Sequence, residues 1–375
     1  MADSRFEVLS EQILPPDRIF SPFLPKVLNL TQRVIALIVI PTDLKKGYLF
    51  MKKIIFITAL CSLFLLSACS APRLNIFDTT PNPLREFTLE GKGQNKILII
   101  PINGMISDSP KQGLFDTSPS VVEQVVVQLN KAQNDSSIKA VLLKVNSSGG
   151  TITASDLLYH EILSYKVKTG NKISVVMMDL AASGAYYLSL PADMIIAHPT
   201  TITGSVGVIF MRPKTVGLMS KIGLGVEINK FGQNKDMGSP FRESNEEEKI
   251  LMQKTVDTFG NRFINLVQKH RNLDEQALKE VSTARVFVAD DALRLKLIDK
   301  IGYISDAVKE TKTIAGLPDD ARVVIYRRKD VPEDNYYRAA ASGTANFSLI
   351  NVAVPEIFNI KAGFYYLWPG AIIND

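Results

Sequence analysis

AVLLKVNSSGG (Ala140–Gly150) and ISVVMMDLAASGAYY (Ile173–Tyr187) are the stretches from which the fold is read. Each starts as a β-branched, nearly continuous apolar run, the pattern of a strand covered on both faces. Each then passes through small residues into a helical pattern, Ala154–Tyr165 after the first and a helix opening near Ser183 after the second. Working outward, Lys96–Ile102 (KILIIPI) is another strand with an Asn103-Gly104 turn. Val121–Lys131 has helical spacing, and Met194–Ala197 is a fourth, short strand. Strand–loop–helix repetition of this kind argues for an α/β domain with a parallel sheet and helices on its faces. Ligands of such sheets sit at the carboxyl ends of the strands, where both glycine-bearing loops fall. Glu246–Leu266 reads as a long amphipathic helix, opened by Ser244 and acidic residues suited to a helix N-terminus. Val286–Gly302 closes the domain. Beyond about residue 320 come a strand (Val323–Tyr326), a basic patch (Arg327, Arg328, Lys329) and an aromatic end (Phe364–Trp368).

The 375 residues suffice for one large domain with extensions or for two modest ones. A net charge of +5, with no basic stripe interleaved with aromatics, sets nucleic-acid binding aside. Three histidines (His160, His198, His270) and two cysteines (Cys61, Cys69) cannot be arranged into a zinc-site spacing, and no metal or other cofactor is expected.

MKKIIFITALCSLFLLSAC (Met51–Cys69) has a positive start at Lys52 and Lys53, then an apolar or small run from Ile54 to Leu66. That run has the length of a signal-peptide core and is too short to span a bilayer. Leu66-Ser67-Ala68-Cys69 resembles a lipobox, so Cys69 is the expected lipidation site and residues 51–68 the lipoprotein signal peptide. Fifty residues precede it, broken by Pro15, Pro16, Pro22 and Pro25. Lys45-Lys46-Gly47 must be encoded by purine-rich codons that suit a ribosome-binding sequence, so Met51 is the expected start and residues 1–50 a leader outside the fold. Residues 69–95, rich in Pro, Asn, Gly and Thr, read as the lipidated cysteine and its tether. The domain is expected over residues 96–318, with a C-terminal extension over 319–375.

Several residues could do chemistry. Ser183 lies among small residues at a strand-to-helix junction, where a hydroxyl is exposed on a sharp turn and helix N-terminal amides can bind an oxyanion. A serine N-cap gives the same pattern. Gly149 and Gly150 offer backbone amides unobstructed by side chains, and an ordinary turn would also use them. A serine nucleophile needs a base. None of the three histidines stands in a supporting motif. A lysine serves if burial disfavours its charged form, and the loop Lys230–Pro240 carries two, Lys230 and Lys235.

From Lys96 to about Ala307 the chain resembles the signal peptide peptidase A family. KILIIPINGMI resembles its opening strand and turn, and KAVLLKVNSSGGTITASDLLYHEI its oxyanion loop and following helix. ISVVMMDLAASGAYYLSLPAD resembles its nucleophile segment, and IIAHPTTITGSVGVI the segment with a Thr-Gly-Ser. KFGQNKDMGSPFRESNEEE resembles its general-base loop, and ARVFVADDALRLKLIDKIGYISDAV its closing segment. These blocks occur in the family's order. The resemblance implies a Clp-protease/crotonase-like α/β fold of repeated β-β-α units and a serine–lysine dyad. Ser183 is then the nucleophile, Lys235 the general base and Ser205 the residue that orients the lysine. Gly150, beside Gly149, and the amide of Gly184 are then the oxyanion donors, and Lys230 matches a non-catalytic position. The chain departs from the family at two places. Ser148 stands where Pro is usual, which predicts a looser loop, and Lys296 stands where Gly is usual.

The resulting expectation is a membrane-associated serine endopeptidase acting on hydrophobic peptides such as remnant signal peptides. It is expected to be lipid-anchored in a bacterial envelope, facing the periplasm, and to form a ring-like homo-oligomer in which a site can draw residues from two subunits. The alternatives are a crotonase-like acyl-CoA enzyme, which would need an acidic residue in place of Ser183, and a catalytically silent peptide-binding scaffold. A Ser-His-Asp enzyme is weaker, for want of a placed histidine.

Overall fold

The computed structural model describes residues 83–112, 117–328, 335–337 and 362–371. The signal peptide, Cys61, Cys69 and most of the expected tether lie outside the described residues.

The strands are β1 (Arg85–Glu90), β2 (Lys96–Asn103), the hairpin β3 (Lys111–Gln112) and β4 (Thr117–Ser118), β5 (Ile138–Ser147), β6 (Gly149–Thr151) and β7 (Lys172–Ala182). They continue with β8 (Met194–Ala197), β9 (Ile202–Gly204), β10 (Ile209–Met211), β11 (Val286–Val288), β12 (Lys300–Ile301), β13 (Arg322–Arg327) and β14 (Gly363–Leu367). The helices are α1 (Val121–Gln133), α2 (Ile152–Thr169), α3 (Gly184–Ser189), α4 (Val216–Lys221), α5 (Glu246–Arg271), α6 (Glu275–Val281), α7 (Ala289–Arg294) and α8 (Ile304–Ile314).

The main sheet runs β1-β13-β2-β5-β7-β8-β12, parallel from β13 to β12, with β1 antiparallel at the edge. Its central strands are apolar on both faces because both are covered. In β2, Leu98, Ile100 and Ile102 join the side chains of α1, α2, α3 and α5, while Ile97 and Ile99 pack with Ile304, Ala307 and Val308 of α8. The alternation is the period of two of an extended chain. Strand β7 is long enough to pair with β8 along Ser174–Met177 and then with β9 along Leu180–Ala182, so it carries the chain past the sheet to Ser183. A second, antiparallel sheet, β10-β14-β6, stands at that end.

The expected α/β class, strands and helices are present. Three details differ from expectation. The fold begins before residue 96, because Arg85–Glu90 pairs antiparallel with β13; its short run is set among prolines and glycines that disguise it as tether. The region after 318 is not an appendage, since β13 inserts between β1 and β2 in the main sheet. Asn245, not Ser244, caps α5 by accepting from the Glu248 amide at 2.8 Å, and Ser244 instead accepts from Arg212. Among the described residues no helix is long and apolar enough to cross a membrane.

Lys296 explains itself in this fold. Its φ is +58°, the left-handed position after α7, with its amide donating to Leu293 and the Leu297 amide to Ala292. This is a Schellman ending, where glycine avoids the clash that a Cβ suffers. Lys296→Gly is expected to stabilise the fold by about 1 kcal/mol, read as a raised midpoint of urea unfolding; an unchanged or lowered midpoint contradicts the strain.

Candidate active site

Ser183 follows β7 and opens α3 with φ +54° and ψ −115°, a backbone conformation costly for any residue with a Cβ. Its amide donates to the Gly204 carbonyl at 2.8 Å, so the turn is held by the neighbouring strand β9. It sits at the N-cap of α3, but its side chain does no capping: no amide of α3 bonds it. Its Oγ is buried and without a hydrogen-bond partner. A buried hydroxyl without a partner is rare in a folded protein and points to a functional demand.

Ser205 follows β9 as Ser183 follows β7. Ala182 pairs with Gly204, and both serines then turn with positive φ, +54° and +51°. The register brings them side by side at one sheet end. Ser205 is held by its amide, which donates to Arg285.

Gly149 and Gly150 reach the same place from β6. A Cβ on Gly149 would lie 2.8 Å from the Gly184 amide nitrogen, and one on Gly184 would lie 3.2 Å from that of Gly150. A Cβ on Gly150 would strike the Ile106 carbonyl oxygen at 1.9 Å. Gly149 also has φ +98°. Only glycine permits this approach, and it leaves two amides beside the serine. The loop is not loosened by Ser148. The Ser147 hydroxyl donates to Gly104 at 2.6 Å and accepts from the Gly149 amide at 3.1 Å, while the Ile106 amide bonds the Gly149 carbonyl at 2.8 Å.

The lysines of the following loop have different fates. Lys230 donates to Asp236 at 2.6 Å and to the Gln233 carbonyl at 2.8 Å. Lys235 is exposed within its subunit, and its amine meets neither Ser183 nor Ser205 there. Sequence reading missed the clamp beside it. Arg242 grips both carboxylate oxygens of Asp236, at 2.7 and 2.9 Å, and also pairs with Glu248. The Arg242 guanidinium, helped by Lys230, holds the Asp236 carboxyl well below the usual carboxylate range. The spacing of acidic and basic residues from Lys230 to Glu248 was the only signal for it.

No histidine serves the serine. His198 faces Thr200 and Tyr303 at the end of β8, level with Met177. That is six residues along β7 from Ser183, roughly 20 Å of extended chain. His160 is exposed on α2, and His270 bonds the Tyr159 hydroxyl at 2.9 Å. Burial and the cations Lys269, Lys166 and Arg271 push the His270 pKa down. Among the described residues no group of three or more His, Cys, Asp or Glu side chains is placed to hold a metal.

Sequence reading also missed Tyr366. Strand β14 lies between β6 and β10, and its Tyr366 carbonyl oxygen would lie 2.1 Å from a Cβ on Gly149 and 3.0 Å from one on Gly184. The aromatic run 364–368 was visible, but nothing in it revealed where it docks.

A strained, unpartnered serine beside the backbone amides of Gly150 and Gly184 is the arrangement that acyl transfer requires. The model of peptidase family S49 matches residues 165–318, which include Ser183, Ser205 and Lys235. A protein of Enterococcus faecium that carries the name signal peptide peptidase SppA is 38% identical over 247 residues, covering 66% of this chain and 71% of its own length. Protease 4 of Haemophilus influenzae is 31% identical over 244 residues, 64% of this chain and 38% of that protein. The chloroplastic serine protease SPPA of Arabidopsis thaliana is 30% identical over 235 residues, 62% of this chain and 34% of that protein. The chain thus spans little more than a third of the latter two. The chain is a serine peptidase of the S49, or signal peptide peptidase A, family.

Proposed function

We propose that the protein is a membrane-associated endopeptidase that cleaves hydrophobic peptides, such as remnant signal peptides, by a Ser183–Lys235 dyad. The observation that carries this reading is the buried, unpartnered Ser183 hydroxyl on a strained turn beside the Gly150 and Gly184 amides. Ser183 attacks the scissile carbonyl while neutral Lys235 takes its proton; the carbonyl oxygen becomes the oxyanion and is held by the two amides. Lys235 then returns the proton to the departing amine, and water repeats the cycle on the acyl-enzyme. Ser205, turning beside Ser183, orients the lysine amine.

The base must be delivered. In one subunit Lys235 is exposed, and the segment before it exposes Leu218, Ile222, Leu224, Val226, Ile228 and Phe231. An apolar strip of that size favours cover by another surface. A ring-like homo-oligomer covers the strip and carries Lys235 to a serine across the contact, where loss of water favours a neutral amine. Lys230, already paired with Asp236, is unsuited to this role. Cys69, preceded by Leu66-Ser67-Ala68, supports a lipid anchor and, with it, the reading of a domain on the periplasmic side of a bacterial envelope.

Lys235→Ala is expected to lower kcat for an apolar peptide by about 100-fold or more, while His198→Ala stays near wild type. A dead His198→Ala with an active Lys235→Ala overturns the dyad. Arg242→Ala should free the Lys235 loop and cut kcat by about 10-fold, with Arg242→Lys, which keeps charge but loses the fork, in between. KM is the control, because a collapse of the whole groove would raise it as well. Asp236 is held below its ordinary range, so the clamp is complete above about pH 4 and is lost only as pH falls through the lower, folded value. Cys69→Ser should release the protein from membranes in cell fractionation, and unchanged sedimentation with the membrane argues against the anchor.

A further inference from the structure

Strand β7 does not run evenly beside β5. Their parallel register advances residue for residue from Ala140 opposite Lys172 to Val145 opposite Met177, and then pairs Ser147 with Ala181. Over that step β5 moves on by two residues and β7 by four, so Met178–Leu180 is a bulge that holds two extra residues. At about 3.3 Å per residue, an even ladder would carry Ser183 about 7 Å further along, past the amides of Gly150 and Gly184. Two extra residues, unlike one, also leave the alternation of faces intact. Bulges gather beside active sites, where they re-aim a side chain.

Side chains hold this bulge where the ladder is interrupted. The Leu180 amide donates to the Asn146 Oδ1 at 3.1 Å, and the Asn146 Nδ2 donates to the Asp179 carboxylate at 3.5 Å. A side-chain amide carries the same donor and acceptor as a peptide group, so Asn146 stands in for the stretch of β5 backbone that the bulge has left behind. From the other side, the Thr201 hydroxyl lies 3.0 Å from the Met177 carbonyl oxygen and also meets that of Met178, and the Thr203 hydroxyl donates to the Ala181 carbonyl at 2.7 Å. Both threonines belong to the β9 segment, whose Gly204 accepts from the Ser183 amide. Of these three side chains, Asn146 is the one that reaches across from β5. It also leads directly into Ser147–Gly150, and its own carbonyl accepts from the Gly104 amide at 3.0 Å. One side chain thereby ties the segment bearing Gly150 to the segment bearing Ser183.

We infer that Asn146 is a positioning residue for acyl transfer: its side-chain amide closes the bulge Met178–Leu180 and so sets Ser183 against the amides of Gly150 and Gly184. The inference rests on the reading of Ser183 as nucleophile and of those two amides as oxyanion donors. Asn146 acts through Leu180, on the distance between the attacking oxygen and the donors. Its loss leaves the surfaces that grip a peptide in place and displaces the attacking oxygen, so the cost falls on kcat and not on KM. A displacement of about 1 Å costs on the order of 100-fold in rate.

The test uses the full chain, a fluorogenic apolar peptide and thermal melts of each variant. Asn146→Ala should lower kcat by about 10- to 100-fold with KM within about 2-fold of wild type. Asn146→Asp keeps an oxygen for the Leu180 amide but sets a second carboxylate against Asp179, and should fall between the two. Adding Asp179→Asn to it restores one amide and one carboxylate with their places exchanged, and should return kcat to within about 3-fold of wild type. A cooperatively melting Asn146→Ala protein with wild-type kcat overturns the inference. A rise in KM that matches the fall in kcat also overturns it, since that marks general damage to the groove. So does an exchanged pair no faster than Asn146→Asp alone. If Asn146→Ala does not melt cooperatively, the exchanged pair decides. Ser183→Ala separates the inference from the reading beneath it. A Ser183→Ala protein that still cleaves the peptide removes the nucleophile and the inference together, whereas an inert Ser183→Ala beside an unimpaired Asn146→Ala removes the role of Asn146 only.

Discussion

The site depends on backbone crowding. Around Gly149-Gly150, Gly184 and Ile106 the backbone approaches so closely that an added Cβ on Gly150 would lie 1.9 Å from the Ile106 carbonyl oxygen and one on Gly149 2.8 Å from the Gly184 amide nitrogen. Real atoms do not come that near. Removing side chains at these points lets amide dipoles gather where water is scarce, and such dipoles act more strongly there than in bulk solvent. The serine is forced into the same space by β7, whose register with β9 fixes where the turn must occur. Its positive φ follows from that position, and the surrounding sheet bears the strain.

Much of this was legible because buried parallel strands write themselves as apolar runs, and glycine pairs mark close approaches. Periodicity marks the helices over Val121–Lys131, Ala154–Tyr165 and Glu246–Leu266; in the structure they open at Val121, Ile152 and Glu246, with Ser120, Thr151 and Asn245 accepting the first free amides. Other features lie beyond local pattern. Arg85–Glu90 is a strand only because β13 comes back from more than two hundred residues away to pair with it. Gly149–Thr151 is too short to register as a strand and exists through partners on both sides. The docking of Tyr366 depends on rings contributed by α3 and α5, which no window of sequence holds together.

Two lysines five residues apart show how placement separates chemistry from scaffolding. Lys230 spends its charge on Asp236, a carboxylate that Arg242 already holds, so it stiffens the loop. Lys235 follows on the same turn with its amine uncommitted inside the subunit. A base must be free to lose and regain a proton, and a paired ammonium resists losing one. The Arg242–Asp236 clamp fixes the backbone beside Lys235 and so limits where that side chain can be sent.

The small sheet and the lysine loop are also physically joined. Strand β10 forms one edge of that sheet, and Arg212 immediately after it donates to the Ser239 carbonyl at 3.3 Å and to the Ser244 hydroxyl at 2.8 Å, on the far side of Lys235. Phe210, whose ring packs against the β14 side chain Phe364, lies within reach of Gly238 in the same loop. Strand β14 supplies both the ladder and the ring contact that hold β10, and β10 carries the root of the loop. Strand β10 thus joins the small sheet that holds Gly149 and Gly150 to the loop that bears Lys235.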